Sequence, residues 1–172
     1  MIKVGNLAPD FQLEGYLKDK FKDYNLKDFK GKWLVLLFYP LDFTFICPTE
    51  ITGFNARLDD FKKLNSAVVG VSVDSVHSHK KWADTDLGGL EFPLLSDFHK
   101  RTSRDYNVLI EDEGVALRGT FIIDPEGKIR HLTVSDNDVG RSVDETLRVL
   151  SALQTGKLCP VNWKPGDATV GA

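Results

Sequence analysis

The chain has 172 residues, 42% of them hydrophobic and 27% charged, a composition that predicts one globular domain over residues 1–172. Its net charge of −3 argues against nucleic acid or an anionic membrane as a partner, because both require clustered lysine and arginine. Its two cysteines are too few for a disulfide-built scaffold, and no apolar run approaches the roughly 20 residues of a membrane-spanning helix.

The first apolar segment of the chain is a predicted buried strand. The nine residues at the N-terminus contain one cation and no long apolar stretch, so they do not resemble a secretory signal, and we expect a cytoplasmic protein. Residues 33–39 form a near-continuous apolar run that Pro40 stops, which is typical of a strand buried on both faces. Residues 67–73 are β-branched and similar, and we expect the two strands to lie side by side.

Helices and a hairpin are predicted around these strands. Apolar residues between the strands recur at a spacing of three and four, which predicts one amphipathic helix: Ile51, Phe54, Leu58, Phe61 and Leu64. A second helix is predicted over residues 76–86, followed by a glycine-containing loop at 87–93. Residues 121–134 predict a hairpin, since residues 124–127 read Asp-Pro-Glu-Gly, the preference of a type I turn.

A closing helix and a tail complete the predicted elements. The helix is entered through Ser142, a good N-cap residue, and ends at Gly156. Residues 157–172 are rich in glycine, proline and polar side chains, and we predict an extended C-terminal tail that carries Cys159. The order of these elements predicts an α/β, thioredoxin-like fold with a central mixed sheet flanked by helices.

Cys47 lies between the first predicted strand and the first long helix, and Pro48 directly after it is a helix-start signal. A thiol at a helix N-terminus faces unpaired backbone N–H groups and the positive end of the helix dipole, and both stabilise a thiolate. Free cysteine has a pKa of about 8.5, so activation is required at neutral pH. A lone cysteine after an apolar strand is otherwise more often a buried small hydrophobe.

The segment around Cys47 closely resembles the active-site segment of peroxiredoxins. Residues 38–50 read Phe-Tyr-Pro-Leu-Asp-Phe-Thr-Phe-Ile-Cys-Pro-Thr-Glu, with Pro40, Thr44 and Cys47 in the family's P-x-x-x-T-x-x-C order. The resemblance spans nearly the whole chain through three further segments: residues 117–124, residues 139–142, and residues 156–160 followed by Trp163.

The resemblance implies a thiol peroxidase of the typical two-cysteine kind. A hydroperoxide would oxidise Cys47 to a sulfenic acid, which Cys159 of a partner subunit would resolve as a disulfide. This implies a homodimer, extended in the family to a decameric ring, and local unfolding around Cys47 before the disulfide forms. A thioredoxin or a flavoprotein disulfide reductase would reduce the pair, and the resemblance implies no flavin, haem or metal cofactor.

The same resemblance implies roles for other residues of the site. Thr44 would hydrogen-bond the peroxide, and Pro40 would shield the pocket. Arg118 would stabilise the thiolate and the charge on the breaking O–O bond, although its position alone also fits an ordinary strand-edge cation. Glu50 and Arg141 would orient Arg118 through hydrogen bonds.

Two other functions stay open on the sequence. A general thiol–disulfide oxidoreductase would be expected to use C-x-x-C, whereas residues 47–50 read Cys-Pro-Thr-Glu. A ring-shaped holdase chaperone leaves no residue signature and is compatible with peroxidase activity. In many animal relatives the loop reads Gly-Gly-Leu-Gly, whereas residues 88–91 read Gly-Gly-Leu-Glu; this departure and the lack of a C-terminal Tyr-Phe predict resistance to overoxidation.

Two groups of residues receive simpler interpretations. The histidines lack metal-ligand spacing and are predicted to be surface residues: His77, His79, His99 and His131. Phe43, Phe45 and Trp82 are expected to pack in the core or, as the resemblance implies, to build the contact that joins dimers into rings.

Overall fold

A mixed β-sheet lies at the centre of the computed structural model, which describes residues 2–171. The strands are β1 (Gln12–Leu17), β2 (Lys20–Asn25), β3 (Trp33–Phe38), β4 (Ser66–Ser72), β5 (Leu94–Ser96), β6 (Leu109–Ile110), β7 (Val115–Ala116), β8 (Arg118–Ile123) and β9 (Ile129–Ser135). The helices are α1 (Cys47–Ala56), α2 (Leu58–Lys63), α3 (Val76–Thr85), α4 (Arg101–Asp105) and α5 (Val143–Gln154), with a short 3₁₀ helix at Leu26–Phe29. Seven strands join in the order β2-β1-β5-β4-β3-β8-β9, while β6 and β7 form a separate ribbon.

The two strands predicted to be neighbours, β3 and β4, form the middle of the sheet. They pair in parallel along the whole of β3, from Trp33 opposite Ser66 to Phe38 opposite Val71. On the other side of β3, β8 runs antiparallel and turns into β9 at the predicted hairpin. The prediction of an α/β fold with a mixed central sheet is therefore confirmed.

Side chains of β3 alternate between two apolar layers, one on each face of the sheet. Val35 and Leu37 face the layer that α1, α2, α3 and α5 cover, whereas Leu34, Leu36 and Phe38 face a layer closed by the N-terminal segment and the residues after α4. A strand covered on both faces has no exposed position for a polar side chain, which explains the continuous apolar run. The loop that leaves β3 therefore starts from a firmly held point.

The single helix predicted from the apolar spacing of residues 51–64 is wrong, because two helices occupy this segment. Arg57 separates α1 from α2 with backbone angles of φ −107° and ψ 11°, and its N–H donates to the Phe54 carbonyl, three residues back. The Arg57 side chain is tied to Asp60 and, on α5, to Asp144. Phe54 and Leu58 both stay buried across the break, so the apolar spacing does not reveal it.

The helices α3 and α5 form where they are predicted. Each begins after a serine whose hydroxyl accepts a backbone N–H: Ser75 from Ser78, and Ser142 from Glu145. These bonds satisfy donors that a helix start otherwise leaves unpaired. No helix within residues 2–171 is long and apolar enough to cross a membrane.

The tail after α5 is not extended as predicted but folds back on itself and on α5. Trp163 is only 5% exposed, its indole N–H donates to the Asp167 carbonyl, and its own carbonyl accepts from Arg148 of α5. Leu158 and Val170 form an antiparallel bridge that closes the segment. Burial of one large aromatic side chain outweighs the polar composition that predicted an extended tail.

Candidate active site

Cys47 is the first residue of α1 and is completely buried. Residues 39–46, which we call the β3–α1 loop, connect it to the C-terminal end of β3. Pro48 occupies the first turn, where its missing N–H costs no helical hydrogen bond. The predicted position of Cys47 at a helix N-terminus is therefore confirmed.

Arg118, the first residue of β8, brings a positive charge to this sulfur. Its Nη1 lies 3.3 Å from the Cys47 Sγ and donates to Glu50 Oε2 at 2.8 Å. Its Nε and Nη2 both donate to the Asn137 carbonyl, at 3.1 and 2.9 Å. A guanidinium stays charged in a protein, so this contact places a fixed positive charge beside the sulfur. Arg118 is 3% exposed, which excludes the alternative of an ordinary strand-edge cation.

Glu50 lies one turn after Cys47 on α1 and joins two arginines. Arg141 donates to Glu50 Oε1 through its backbone N–H and Nε, at 2.8 and 2.9 Å, and to Oε2 through Nη2 at 2.7 Å. Arg141 also donates to the Gly119 carbonyl on β8. Burial raises the pKa of Glu50, but the hydrogen bonds and charge of Arg141 and the charge of Arg118 lower it, and the net pKa lies below its ordinary value. Glu50 is thus an anion that holds both guanidinium groups.

Pro40 and Thr44 lie on the β3–α1 loop. Pro40 is buried two residues beyond the end of β3, and Thr44 is partly exposed. The Thr44 hydroxyl donates to the Leu41 carbonyl at 3.0 Å, which leaves its oxygen lone pairs as acceptors for a ligand O–H. The structure therefore brings four predicted residues into direct contact and places these two on the adjoining loop: the four are Cys47, Glu50, Arg118 and Arg141.

Cys159 lies apart from this constellation, just beyond the C-terminal end of α5. Its sulfur is 3.4 Å from the Thr155 hydroxyl and 3.8 Å from the Ala152 carbonyl. Both cysteines are free, and Cys159 is partly exposed whereas Cys47 is buried. Within one chain the two sulfurs therefore occupy separate environments.

The structure corrects the surface interpretation of His79 and bears out the core interpretation of Trp82. His79 is completely buried rather than at the surface, because Asp42 and the Leu95 carbonyl hydrogen-bond both of its ring nitrogens. Trp82 is also completely buried, so it packs in the core and has no surface for a subunit contact. Phe43 and Phe45 remain exposed, at 51% and 95%.

Sequence reasoning missed Asn137 and the polar residues beneath the β3–α1 loop. Asn137 acts through its backbone carbonyl, which any residue could supply. The polar residues beneath the β3–α1 loop could have been found only in part, because Asp42 and His79 lie 37 positions apart.

Burial raises the pKa of Tyr39 well above its ordinary value of 10.0, and the charge of Asp42 raises it further, so the Tyr39 hydroxyl stays protonated and donates to Asp42.

Comparison with known proteins gives a consistent result. Residues 4–132 match the family described as AhpC/TSA. The putative peroxiredoxin YkuU of Bacillus subtilis is 54% identical over 177 aligned positions that cover 97% of both chains. The chloroplastic 2-Cys peroxiredoxin BAS1 of Spinacia oleracea is 53% identical, over 97% of this chain and 67% of its own. The reduced 2-Cys peroxiredoxin of Plasmodium vivax superposes with a TM-score of 0.93 at 42% identity, over 96% of this chain and 91% of its own.

Proposed function

Since the chain belongs to the AhpC/TSA family of peroxiredoxins, and is therefore a peroxidase of thioredoxin-like fold, we propose that Cys47 is the residue its hydroperoxide substrate oxidises. The observation that carries this proposal is the 3.3 Å contact between Arg118 and the Cys47 sulfur. A buried thiolate needs such a counter-charge, because transfer of an isolated anion into the protein interior is costly. The same positive charge faces the oxygen that leaves.

The reaction at Cys47 is a displacement on oxygen. The thiolate attacks the terminal oxygen of the hydroperoxide, a sulfur–oxygen bond forms, and the O–O bond breaks. The other oxygen leaves with the electron pair of that bond and takes up a proton, as water from hydrogen peroxide or as an alcohol from an organic hydroperoxide. Sulfur is oxidised to a sulfenic acid and the peroxide is reduced, so the step needs no metal, flavin or haem.

The surrounding residues divide this work. Thr44 accepts a hydrogen bond from the bound hydroperoxide, and Pro40 shields the pocket from water. Arg118 stabilises the charge that develops on the leaving oxygen, a task that depends on a donor fixed before the reaction starts. Glu50 and Arg141 are positioning residues, because they hold Arg118 without reaching the sulfur.

Cys159 of a partner subunit resolves the sulfenic acid. Its thiolate attacks the Cys47 sulfur, the sulfur–sulfur bond forms as the sulfur–oxygen bond breaks, and the oxygen leaves as hydroxide, which takes up a proton from solvent to become water. Complete burial of Cys47 supports a local unfolding that begins in the first turn of α1 and extends along this helix before this step. The separate environment of Cys159 within one chain supports resolution between two chains of a homodimer.

Other parts of the proposal concern the assembly and its reductant. We propose one domain over residues 1–172, with residues 157–172 as the segment that carries the resolving cysteine. The exposed rings of Phe43 and Phe45 support a further contact that extends dimers into a decameric ring. A thioredoxin or a flavoprotein disulfide reductase returns the disulfide to two thiols. We place the enzyme in the cytoplasm, where such dithiol reductants act, and fractionation of the source cells tests this placement.

Mixing two variants tests the two-cysteine cycle. Cys47→Ser and Cys159→Ser proteins are each treated with one equivalent of hydrogen peroxide, alone and after subunit exchange, and analysed on non-reducing gels and by intact mass. Each variant alone should give no linked dimer, whereas the mixture should give a dimer with one Cys47–Cys159 disulfide. Wild-type protein that forms a disulfide within a single chain, or no disulfide at all, would contradict the proposal.

A further inference from the structure

Beneath the β3–α1 loop lies a group of buried and half-buried polar side chains that the proposed chemistry does not use. Its members, which we call the polar cluster, are Tyr39 and Asp42 of the loop, Asp74 after β4, and Ser78 and His79 of α3. His79 and the Asp42 side chain are 0% and 1% exposed. Burial of such groups is costly unless each has a partner, so their arrangement needs an explanation.

His79 is held from both sides of its ring. Its Nε2 lies 3.1 Å from the Leu95 carbonyl of β5, which can only accept, so Nε2 carries a hydrogen. Its Nδ1 lies 2.8 Å from Asp42 Oδ2, and one proton lies between these two atoms. The His79 ring thus fixes the position of the Asp42 carboxyl group relative to β5.

Asp42 is a residue of the β3–α1 loop, so the hydrogen bonds that hold Asp42 also hold the loop. Its two carboxyl oxygens also accept from the Tyr39 hydroxyl and the Ser78 hydroxyl, both at 2.8 Å. Its backbone N–H donates to Asp74 Oδ2 at 2.8 Å, and that oxygen also accepts from Ser72 of β4. Both the backbone and the side chain of Asp42 are therefore anchored to the sheet and to α3.

The anchored residue lies inside the segment that presents Thr44. The Thr44 hydroxyl donates to the carbonyl of Leu41, the residue that precedes Asp42. Between Asp42 and Thr44, Phe43 has a φ of +54°, a left-handed conformation that is strained for a residue with a side chain. A strained backbone persists only where its surroundings hold it. Asp42 of the polar cluster holds the chain directly before Phe43, and the Phe43 ring packs against Trp82 with centroids 6.2 Å apart.

We propose that His79 is a positioning residue for peroxide reduction, which acts through Asp42 to hold the β3–α1 loop in the form that aligns Thr44 with the substrate. The inference rests on the proposed function of Cys47. The polar cluster acts on the site through the loop, whereas Arg118 of β8 contacts Cys47 directly and Glu50 of α1 holds Arg118. Disturbance of His79 should therefore weaken the reaction with peroxide and spare reactions of Cys47 that do not use Thr44.

Two substitutions of His79 separate its two contacts. The amide of asparagine falls near ring Nδ1 and can still pair with Asp42, whereas the amide of glutamine falls near Nε2 and can pair only with the Leu95 carbonyl. His79→Gln should therefore lose the constraint on Asp42, and His79→Asn should keep much of it. Tyr39→Phe removes one donor to Asp42 with almost no change of volume, and the exposed His77 of α3 supplies the control His77→Gln.

The test measures two rate constants of Cys47 in each reduced protein: oxidation by hydrogen peroxide in stopped flow, and alkylation by iodoacetamide. His79→Gln should be oxidised about tenfold more slowly than wild type and alkylated within about twofold of it, with His79→Asn and His77→Gln close to wild type. Equal oxidation of His79→Gln and wild type, or a parallel fall of both rates, would overturn the inference. If the His79 variants do not fold, Tyr39→Phe decides: a selective fall in oxidation supports the inference and no fall overturns it. Wild-type protein that reacts no faster with peroxide than free cysteine would overturn the proposed function itself.

Discussion

The guanidinium of Arg118 donates to the sulfur of Cys47 over 3.3 Å although the two residues are 71 positions apart in the chain. The contact exists because β8, which begins at Arg118, pairs with β3, and the chain that leaves β3 leads to Cys47. Sheet pairing and the start of one helix therefore build the central contact of the site.

Replacement of Arg118 by lysine should slow the oxidation of Cys47 by hydrogen peroxide about 100-fold or more, the usual effect of losing a preorganised donor. Lysine keeps the charge, but its single ammonium group cannot donate hydrogen bonds to Cys47, Glu50 and the Asn137 carbonyl at the same time. Stopped-flow measurement of the oxidation rate checks this. The exposed Arg101 provides the matched control Arg101→Lys, and equal effects of the two substitutions would contradict the role of Arg118.

Glu50→Gln should lower the free energy of unfolding by about 3–5 kcal/mol at neutral pH, because it leaves two buried guanidinium groups without their anion. The folded-state pKa of Glu50 lies below its ordinary value of 4.5, so its contribution is present above that value and is lost as the pH falls through the lower, folded-state pKa. The stability gap to wild type should therefore shrink in acid.

Urea unfolding at neutral pH and at several pH values below 4.5 measures this gap. Glu126 lies exposed in the β8–β9 turn, and Glu126→Gln serves as the matched control that should change stability little at any pH. A gap for Glu50→Gln that is absent at neutral pH or grows in acid would contradict the assignment of Glu50 as a charged anchor.

Thr44→Val should slow the reaction with peroxide roughly tenfold to 100-fold, as expected for loss of one hydrogen bond to a reacting group. Thr44→Ser keeps the hydroxyl and should retain most of the rate. Alkylation of Cys47 by iodoacetamide should be the same in both variants, because the alkylating agent has no O–H for Thr44 to accept. A valine variant as fast as the serine variant would remove Thr44 from the mechanism.

Gly53 in the middle of α1 offers a way to slow the proposed local unfolding. A Cβ at this position would meet only Val143 at an ordinary 3.5 Å, so Gly53→Ala should stabilise the helix by about 0.5–1 kcal/mol. Formation of the Cys47–Cys159 disulfide should then slow by roughly twofold to fivefold, while oxidation by peroxide is unchanged. Ala56→Gly, at the exposed end of the same helix, should have the opposite effect.

Rapid-mixing kinetics separates the two steps and checks this prediction. Slower resolution also leaves the sulfenic acid exposed to a second peroxide for longer, so the alanine variant should accumulate more sulfinic acid during turnover. Unchanged disulfide formation in both variants would indicate that unfolding of α1 does not control resolution.

The sequence predicted the features that depend on local pattern. The apolar run of β3, the N-cap at Ser142 and the motif around Cys47 each carry a signal within a few residues, and all three appear in the structure. The break between α1 and α2 at Arg57 has no local sequence signal, because the buried residues on both sides of it keep helical spacing. The strands β1 and β2 were missed since β2 is largely exposed and polar, and β5 was missed because it has only three residues.

Features that depend on distant residues were predicted only where the family resemblance supplied them. Arg118, Glu50 and Arg141 meet Cys47 through strand pairing that spacing alone does not reveal. The family resemblance supplied no role for His79. Its burial depends on hydrogen bonds to Asp42 and to the Leu95 carbonyl, which lie on different elements. The fold of the tail likewise depends on Trp163 packing, a tertiary contact that outweighs local composition.

Chemical trapping of the sulfenic acid shows which cysteine the peroxide oxidises first. Reduced wild-type protein is mixed with less than one equivalent of hydrogen peroxide in the presence of dimedone, which reacts with sulfenic acids, and is then quenched and mapped by peptide mass spectrometry. We expect the earliest adduct on Cys47, with Cys159 appearing only in the disulfide. A first adduct on Cys159, or equal labelling of both cysteines, would contradict this expectation.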